Sequence, residues 1–257
     1  MEISAVVTTF NDEKRLEPCL KSLEGVASEL VVVDGLSADG TVKLARKFTA
    51  RVYERAAPGP ADQKNYAAKL ASSPWVLCLD ADERLSPELC AELLALRRGE
   101  PECAGFSAPR RTSYLGRWIR HSGWAPESCV HLFRKERARW EDDAAGERLA
   151  VDGPVEKLLG PVHRFPFATI GEHAARVNKV SGLAAQQLYA RRKKGHLAGL
   201  VGLPTLRCLK TYVLKLGFLD GFPGLIIAVF DGYGAFLRSA KLRSIWKKGE
   251  HIEPFPY

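Results

Sequence analysis

The stretch WVLCLDADERLSP at positions 75–87 decides the fold class of this chain. Five apolar residues open it, as in a buried strand, and Asp80, Asp82 and Glu83 follow almost at once. Ionised carboxylates repel one another and resist leaving water, so this strand end needs a positive partner. Ser86 then has the character of a helix cap. The stretch therefore predicts a strand that opens onto a charged site and leads into a helix.

Strand-like and helix-like patterns alternate outward from this stretch, over residues 1–100. The alternation predicts an α/β fold, with a mostly parallel sheet flanked by helices. Ligands of such sheets bind beyond the carboxyl ends of the strands. Thr8, Asp34 and Asp80 all lie at predicted strand ends, so we expect a shared site there.

The character of the sequence changes twice after residue 100. Aromatic residues and arginines interleave up to about Phe167, and helical patterns dominate afterwards. We therefore predict a first domain over residues 1–167, which contains the expected site, and a basic helical extension over residues 168–257.

Composition and charge narrow the function classes. The chain has 257 residues, of which 46% are hydrophobic and 26% charged, and its formal net charge is +8. Residues 175–250 carry 14 basic and 3 acidic residues, which suits an anionic lipid surface, nucleic acid or a solvated helix face. No helix-turn-helix, zinc or RNA-recognition pattern occurs, and acids at the sheet edge would repel phosphates without a metal, so we expect no nucleic acid partner.

Cysteine usage and hydropathy indicate the compartment. Six scattered cysteines without a CxxC pair are typical of reduced thiols in the cytosol. Neither a secretory signal nor a long apolar span is evident. We expect a cytoplasmic protein that binds the cytoplasmic face of a membrane peripherally, with residues 191–194 and 241–248 contributing.

The pattern Asp80-Ala81-Asp82 has two interpretations. Carboxylate oxygens suit a hard divalent cation such as Mg²⁺ or Mn²⁺, which would offset the acids and bridge to a diphosphate leaving group. Alternatively, the acids favour the N-terminus of the next helix. Asp34 likewise either binds a ribose or base, or forms a turn before Gly35.

Five stretches together resemble the family 2 glycosyltransferases, and in particular the bacterial branch that includes lipopolysaccharide core glycosyltransferases. They are ISAVVTTFNDEKRLEPCLKSL from Ile3, ELVVVDGLSADGTVKLARKF from Glu29, DQKNYAAKLASSPWVLCLDADERLSPEL from Asp62, YLGRWIRHSGW from Tyr114 and LKLGFLDGFPGLIIAVF from Leu214. The resemblance covers nearly the full length. It implies a GT-A-like, Rossmann-like nucleotide-sugar fold, an inverting mechanism and a divalent cation, Mg²⁺ or Mn²⁺, held by Asp80 and Asp82. The implied nucleotide-sugar site consists of Thr8, Phe10, Asn11, Glu13, Asp34, Gln63, Lys64, Asp80, Ala81 and Asp82.

An inverting transfer needs one general base for the acceptor hydroxyl. The resembling branch carries a His-Glu pair after an acidic loop, and here the loop reads WEDDAAGERLAVDG from Trp140. Glu147 occupies the Glu position, whereas Gly146 replaces the His. Asp143 is the competing base, and a solvated acidic turn is the alternative.

Six residues form a predicted acceptor-facing wall, since Trp stacks on sugars and Arg binds phosphate. They are Arg110, Trp118, Arg120, His121, Trp124 and Arg134. The alternative is that the tryptophans belong to the core and that His121 is structural.

The resemblance implies transfer of a hexose, glucose from UDP-glucose, to a saccharide acceptor in lipopolysaccharide core or related envelope glycan synthesis. A lipid-linked acceptor fits the basic helices. Two alternatives remain open: a polyprenyl-phosphate or other surface-polymer acceptor, and a catalytically silent nucleotide-sugar-binding protein.

Overall fold

The computed structural model describes residues 1–124, 127–142, 147–193 and 198–248. The chain divides into two compact units. The first comprises Met1–Arg111 and Pro126–Phe165, and the second Thr112–Ala125 and Pro166–Tyr257. The helical extension therefore shares its unit with the segment just before Pro126.

Four parallel strands form one half of the sheet in the first unit, in the order β3-β2-β1-β4. They are β1 (Ile3–Thr9), β2 (Glu29–Asp34), β3 (Val52–Glu54) and β4 (Trp75–Asp80). Four helices connect or follow them: α1 (Glu13–Ser22), α2 (Thr41–Ala45), α3 (Pro60–Leu70) and α4 (Pro87–Leu96). This half confirms the parallel, helix-flanked arrangement expected from the alternating sequence.

Both faces of the parallel half are covered. Every residue of β1 is buried. Val7 packs in one apolar cluster with Leu16 of α1, and Val6 packs in another with Ala67 of α3. Successive side chains of a strand point to opposite faces, so the continuous apolar run of β1 feeds two cores.

The later strands add antiparallel pairs and continue the order as β4-β8-β6-β12-β5. They are β5 (Glu83–Leu85), β6 (Gly105–Tyr114), β7 (Arg117–Trp118), β8 (Glu127–Arg134), β9 (Ala138–Asp142), β10 (Glu147–Val151), β11 (Val155–Lys157) and β12 (Val162–Arg164). β8 runs antiparallel to both β4 and β6, while β9 and β10 form a separate hairpin. The region rich in aromatics and arginines is thus mainly β-structure.

The second unit is mainly helical, with α5 (Ile170–Ala190), α6 (Ala198–Leu209) and α7 (Phe222–Lys248). A π-helical turn (Lys210–Leu214) and a 3-10 turn (Gly217–Asp220) connect α6 to α7. Thr169 caps α5, because its hydroxyl accepts the N–H of Glu172 at 3.1 Å. α7 packs against both other helices, which confirms the helical C-terminal extension. Within the described ranges, none of the helices has the combined length and apolarity needed to cross a bilayer.

Candidate active site

The strand register of the first unit brings the predicted strand-end residues to one edge of the sheet. Thr8 of β1 pairs with Asp80 of β4, and Thr9 pairs with Asp34 of β2. The Thr8 hydroxyl lies 3.4 Å from Oδ1 of Asp80. The carboxyl ends of three parallel strands therefore carry polar side chains side by side.

Asp34 is fully buried, and its carboxylate binds its own loop. It accepts the backbone N–H and the hydroxyl of Ser37, both at 2.6 Å. This is the turn expected as the alternative to base binding. The turn fixes the shape of the loop after β2, where the resemblance places the nucleotide base.

Two further residues of the predicted nucleotide site hold the same loop from the β1 side. Asn11 adopts a left-handed backbone conformation, with φ of 54°, and its Oδ1 accepts the N–H of Ala38 at 2.8 Å. Glu13 accepts the N–H of Gly40 at 3.2 Å. The loops after β1 and β2 are thus joined by side-chain bonds to backbone groups.

Gln63 and Phe10 complete this edge. The Gln63 amide donates to the carbonyl of Val33 at 3.0 Å, so α3 is tied to the end of β2. Phe10 lies against Gly35, where an added Cβ would come within 3.3 Å of the ring. A larger residue at position 35 would require this ring to shift by a few tenths of an ångström.

A buried lysine joins two carboxylates at the centre of the site. Lys64 of α3 is only 5% exposed, and its Nζ lies 2.8 Å from Oδ1 of Asp80 and 2.5 Å from Oε1 of Glu147. The ammonium also stands over the Trp140 ring, 4.5 Å from its centroid. Lys64 is therefore a buried lysine and not the exposed helix lysine that was the alternative.

The charges of this group shift each other's protonation. Burial alone would raise the pKa of Asp80, but the Lys64 ammonium outweighs it and lowers the pKa to about 2. Burial lowers the pKa of Lys64, yet Asp80 and Glu147 more than reverse this effect, and the pKa is raised. Burial raises the pKa of Glu147, and Lys64 offsets this only in part. At neutral pH Lys64 and Asp80 form an ion pair with a more basic carboxylate beside them.

The β9–β10 hairpin reaches this lysine because Asn65, next to it on α3, pairs with the hairpin backbone. The Asn65 amide donates to the carbonyl of Trp140 at 2.8 Å and accepts its N–H at 2.9 Å. Glu147 begins β10 directly opposite Asp142 of β9. Helix α3 and the hairpin therefore position Glu147 together.

Asp82 has a positive partner that the sequence interpretation missed. Its Oδ2 accepts a hydrogen bond from Nε of Arg164 at 3.1 Å, and its carbonyl accepts the N–H of Phe165 at 2.8 Å. Burial would lower the pKa of Arg164, but Asp82 and the neighbouring acids outweigh it and raise the pKa. No local pattern marks Arg164, because it lies on β12, far along the chain.

Glu83 and Arg110 stand behind the two aspartates. Glu83 is almost completely buried, and its Oε2 accepts the N–H of Asp80 at 3.1 Å. Nη1 of Arg110 lies 3.6 Å from Oε1 of Glu83, while its Nη2 binds Glu127 at 2.6 Å. Ala81 packs its side chain into the core. Glu83 thus fixes the backbone on which Asp80 and Asp82 are displayed.

The residues present fit a divalent cation held by two carboxylates. Oδ1 of Asp82 is buried and has no hydrogen-bond partner among the described residues, and Asp80 carries its own carboxylate two positions earlier. Buried oxygens without partners are costly, and a hard cation would satisfy them. Within the described part of the chain, no group of three or more protein side chains forms a metal site. Mg²⁺ is commonly bound by one or two carboxylates together with substrate phosphates.

The structure does not bring Arg134 to this edge. It pairs with Trp75, the first residue of β4, about 16 Å along the strand from Asp80. Its guanidinium donates to the carbonyls of Pro101 at 2.6 Å and Cys103 at 3.1 Å. Arg134 therefore braces the segment before β6. Asp143 and Gly146 lie outside the described residues.

Of the remaining predicted acceptor residues, Arg110 belongs to the first unit and the other four to the second. Trp124 packs with Tyr114, Phe167 and His173 at ring-centroid distances of 5.5, 6.2 and 5.7 Å, in an aromatic cluster. Trp118 and Arg120 are exposed. The core alternative thus describes Trp124 but not Trp118.

A buried carboxylate that the sequence interpretation did not single out holds this segment. Asp220 accepts the backbone N–H groups of Arg120 at 3.0 Å and His121 at 3.1 Å, and the hydroxyl of Ser122 at 2.7 Å. The only available signal was its place in one of the five quoted stretches. Asp220 therefore fixes the turn that presents Arg120 and His121.

A profile described as "Glycosyl transferase family 2" matches residues 4–149, more than half of the chain. The chain belongs to glycosyl transferase family 2. The matched region contains Thr8, Lys64, Asp80, Asp82 and Glu147. The match confirms the resemblance to this family that the sequence shows.

Curated relatives match this glycosyltransferase along nearly its whole length. It is 29% identical over 254 residues to the lipopolysaccharide core biosynthesis glycosyltransferase LpsC of Rhizobium meliloti, covering 94% of this chain and 92% of that one. It is 27% identical over 271 residues to an uncharacterized glycosyltransferase of Rickettsia typhi, covering 98% and 90%. Among solved structures, TarS 1-349 of S. aureus aligns with a TM-score of 0.48 at 16% identity, covering 98% and 93%.

Proposed function

We propose that this family 2 glycosyltransferase is an inverting, metal-dependent hexosyltransferase that moves glucose from UDP-glucose to a saccharide acceptor of the lipopolysaccharide core or a related envelope glycan. One observation carries the proposal: Lys64, Asp80, Asp82 and Glu147 converge at the carboxyl edge of the parallel strands. The similarity to LpsC over 94% of the chain supports the acceptor class.

Asp80 and Asp82 would hold a Mg²⁺ or Mn²⁺ ion, which supplies positive charge to the diphosphate leaving group when bound. Lys64 and Arg164 already neutralise these two acids in the structure. Lys64 thereby keeps Asp80 ionised, and Arg164 orients the Asp82 carboxylate through its hydrogen bond. Lys64 also offers its charge to a diphosphate at the same edge.

Glu147 is the proposed general base, with Asp143 as the competing residue. The acceptor hydroxyl oxygen attacks the anomeric carbon, the bond from that carbon to the diphosphate oxygen breaks, and the hydroxyl proton passes to Oε2 of Glu147. The raised pKa of Glu147 suits proton abstraction, and its Oε1 is held by Lys64. An inverted anomeric centre follows from attack on the face opposite the leaving group.

The nucleotide would lie over the loops after β1 and β2. Asp34 and Asn11 shape these loops through the bonds described above, and Thr8, Phe10 and Gln63 line the same edge. The proposed acceptor contact in the first unit is Arg110. Trp118, Arg120 and His121 of the second unit remain sequence-based predictions.

A lipid-linked acceptor would be met at the cytoplasmic face of the inner membrane, where we propose peripheral association. A polyprenyl-phosphate or other surface-polymer acceptor is the second candidate. The similarity to LpsC favours a lipopolysaccharide core saccharide over a polyprenyl phosphate or another surface polymer as the acceptor.

A thermal-shift panel of UDP, GDP, CMP and their sugars, each with and without Mn²⁺, tests the proposal. We expect a selective, metal-dependent rise in Tm with UDP and UDP-glucose, followed by glucose transfer with inversion. The Asp82→Asn variant should lose the metal-dependent part of the rise and all transfer, whereas Asp152→Asn, at an exposed position, should keep both.

Three results would count against parts of this assignment. A response to GDP or CMP alone would overturn the donor. Nucleotide binding without transfer or donor hydrolysis would favour a silent binder. Full turnover by Asp82→Asn would exclude the metal role.

A further inference from the structure

The second unit exposes many large apolar side chains between Val201 and Phe222. The exposed fractions reach 73% for Val201, 65% for Leu206, 76% for Leu214 and 61% for Phe222. Isolated exposed leucines are common, but a dense series along one segment marks an interaction surface.

Helix α6 is apolar on the side that it does not pack. Its contact with α7 runs through Pro204 and Cys208, which approach Gly232 so closely that a Cβ there would lie 2.9 Å from the Pro204 carbonyl oxygen. Leu206 and Leu209 are exposed. A helix with apolar residues on both sides is normally buried on both, so this side lacks a partner within the described chain.

Basic residues accompany this apolar surface, and exposed acids do not. No Asp or Glu lies in the sequence between Glu172 and Asp220, whereas nine Lys and Arg do. Arg207, Lys210 and Lys215 are exposed among the apolar residues, while Asp220 is buried. The combination of apolar side chains and unopposed positive charge complements an anionic lipid surface.

Residues 191–194 and 241–248 were expected to bind the membrane, and in the structure one of these lysines has partners within the protein. Nζ of Lys241 donates to the carbonyl and Oδ1 of Asn178, at 2.5 and 2.8 Å, and to Ser181 at 3.0 Å. Lys241 therefore joins α7 to α5. The side chains of Lys194 and Lys248 are not among those that the structure describes.

We propose that an α6 surface, defined as Val201, Leu206, Leu209, Leu214, Phe218 and Phe222 with Arg207, Lys210 and Lys215, docks on an anionic bilayer. The apolar side chains enter the boundary between headgroups and acyl chains, and the basic ones contact lipid phosphates. The role of this docking rests on the proposed function. It would bring the enzyme to the membrane surface at which a lipid-linked acceptor is presented.

A second copy of the chain suits the surface less well. In a two-fold dimer, the same patch meets itself, so the basic residues of both copies would come together. No exposed acid in the segment could pair with them, and such like-charge contacts are unfavourable.

The test is flotation of the full chain with vesicles of phosphatidylcholine alone or mixed with phosphatidylglycerol, at low salt. We expect selective binding to the anionic vesicles that weakens as salt is added. The double variant Leu206→Glu, Leu214→Glu should lose about tenfold or more in partitioning, since it buries charge in place of apolar area. Leu159→Glu, at an 84% exposed position of the first unit, is the matched control and should bind as wild type does.

A second variant, Arg207→Gln with Lys210→Gln and Lys215→Gln, removes charge without adding it and should also lose the phosphatidylglycerol-dependent binding. If the double glutamate variant unfolds, Leu214→Glu alone replaces it. Equal flotation of wild type and variants, or no binding of wild type to anionic vesicles, overturns the proposal. A dimer in sedimentation velocity that Leu206→Glu, Leu214→Glu converts to a monomer also overturns it and assigns the surface to a second copy.

The thermal shift with UDP and Mn²⁺, measured on the same variants, separates docking from the proposed function. Variants that lose flotation should keep the nucleotide response, because none of the changed residues belongs to the first unit. A wild-type protein that floats but ignores every nucleotide would contradict the proposed function and leave the docking surface supported.

Discussion

At the scale of single residues, Lys64 decides how the acidic edge is held together. A buried ion pair is costly unless its geometry is good and its remaining groups are satisfied. Lys64 meets this condition with two carboxylates and the face of Trp140. The acids after β4 therefore have a positive partner from the protein itself, which answers the charge problem that the sequence raises.

Glu147→Gln tests the proposed base. The amide keeps the size of the side chain but cannot take up a proton, so we expect kcat for transfer to fall by about 10²- to 10⁴-fold. The thermal shift with UDP should remain. Glu141→Gln, at an exposed position of β9, is the control and should transfer normally. Near-normal kcat in the Glu147→Gln variant would move the role to Asp143.

Lys64→Met tests the ion pair through its pH dependence. The pKa of Asp80 lies at about 2 in the fold, below its ordinary 3.8, so its contribution to stability is present above pH 3.8 and lost as pH falls through 2. We expect Lys64→Met to lower the free energy of unfolding by about 2 kcal/mol near neutral pH, because Asp80 is partly exposed.

The difference in unfolding free energy between wild type and Lys64→Met should shrink between pH 4 and pH 2, measured by denaturant titration. Lys69→Met, at an exposed position of the same helix, should cost little at any pH. A loss that stays constant down to pH 2 would show that Lys64 acts through packing instead of charge.

At the scale of elements, the segment Tyr114 to Trp124 depends on the turn before α7. Asp220 ends the 3-10 turn and Gly221 follows with φ of 65°, a conformation that favours glycine. The turn aims the carboxylate at the backbone of Arg120 and His121. Asp220 lies in the stretch from Leu214 that carries part of the family resemblance. The structure gives this acid a structural role, which the resemblance did not assign.

Asp220→Ala should destabilise the protein by about 1–3 kcal/mol, because it leaves the buried Ser122 hydroxyl and two part-buried N–H groups without an acceptor. Asp220→Asn keeps one carbonyl oxygen and should cost less. Chemical denaturation of both variants measures the effect. Wild-type stability in Asp220→Ala would mean that the hydrogen bonds to Arg120 and His121 contribute nothing measurable.

At the scale of the whole molecule, unfolding should respond to pH through His173. Burial among aromatic rings lowers its pKa from 6.5 to about 4, and its Nδ1 lies 2.9 Å from the Tyr114 hydroxyl. Neutral His173 is therefore favoured in the fold. The unfolded chain takes up a proton first as pH falls below 6.5, so stability is present above that pH and declines toward pH 4.

We expect this decline to amount to about 2 kcal/mol for one such histidine. The His173→Gln variant should show a smaller decrease in unfolding free energy over the same range, whatever its stability at pH 7. Equal slopes in wild type and variant between pH 6.5 and pH 4 would contradict the assignment.

The six cysteines offer a second measurement on the whole chain. All are free thiols, and burial raises the pKa of Cys19, Cys78 and Cys103. Because the thiolate is the reactive form, these three should react with a disulfide reagent far more slowly in the native protein than in denaturant. Six thiols should titrate after denaturation without a reductant, and fewer would indicate a disulfide that the structure lacks.

The sequence by itself determined the alternation of strands and helices, the acids at the end of β4 and the family. These features are local, since periodicity and short spacing are properties of neighbouring residues. Even Lys64 was assigned to the site through a continuous stretch of sequence, the one that begins at Asp62 and resembles the family.

Only the tertiary structure decided which charges meet. Lys64 and Glu147 are 83 positions apart, and Asp82 and Arg164 are 82 apart. The Asp220 carboxylate likewise accepts the backbone N–H of Arg120 from 100 positions away. Strand register likewise put Arg134 at the far edge of the sheet, opposite Trp75. Such partners are chosen by packing and register, which join segments remote in the chain, and therefore no local pattern in the sequence contains them.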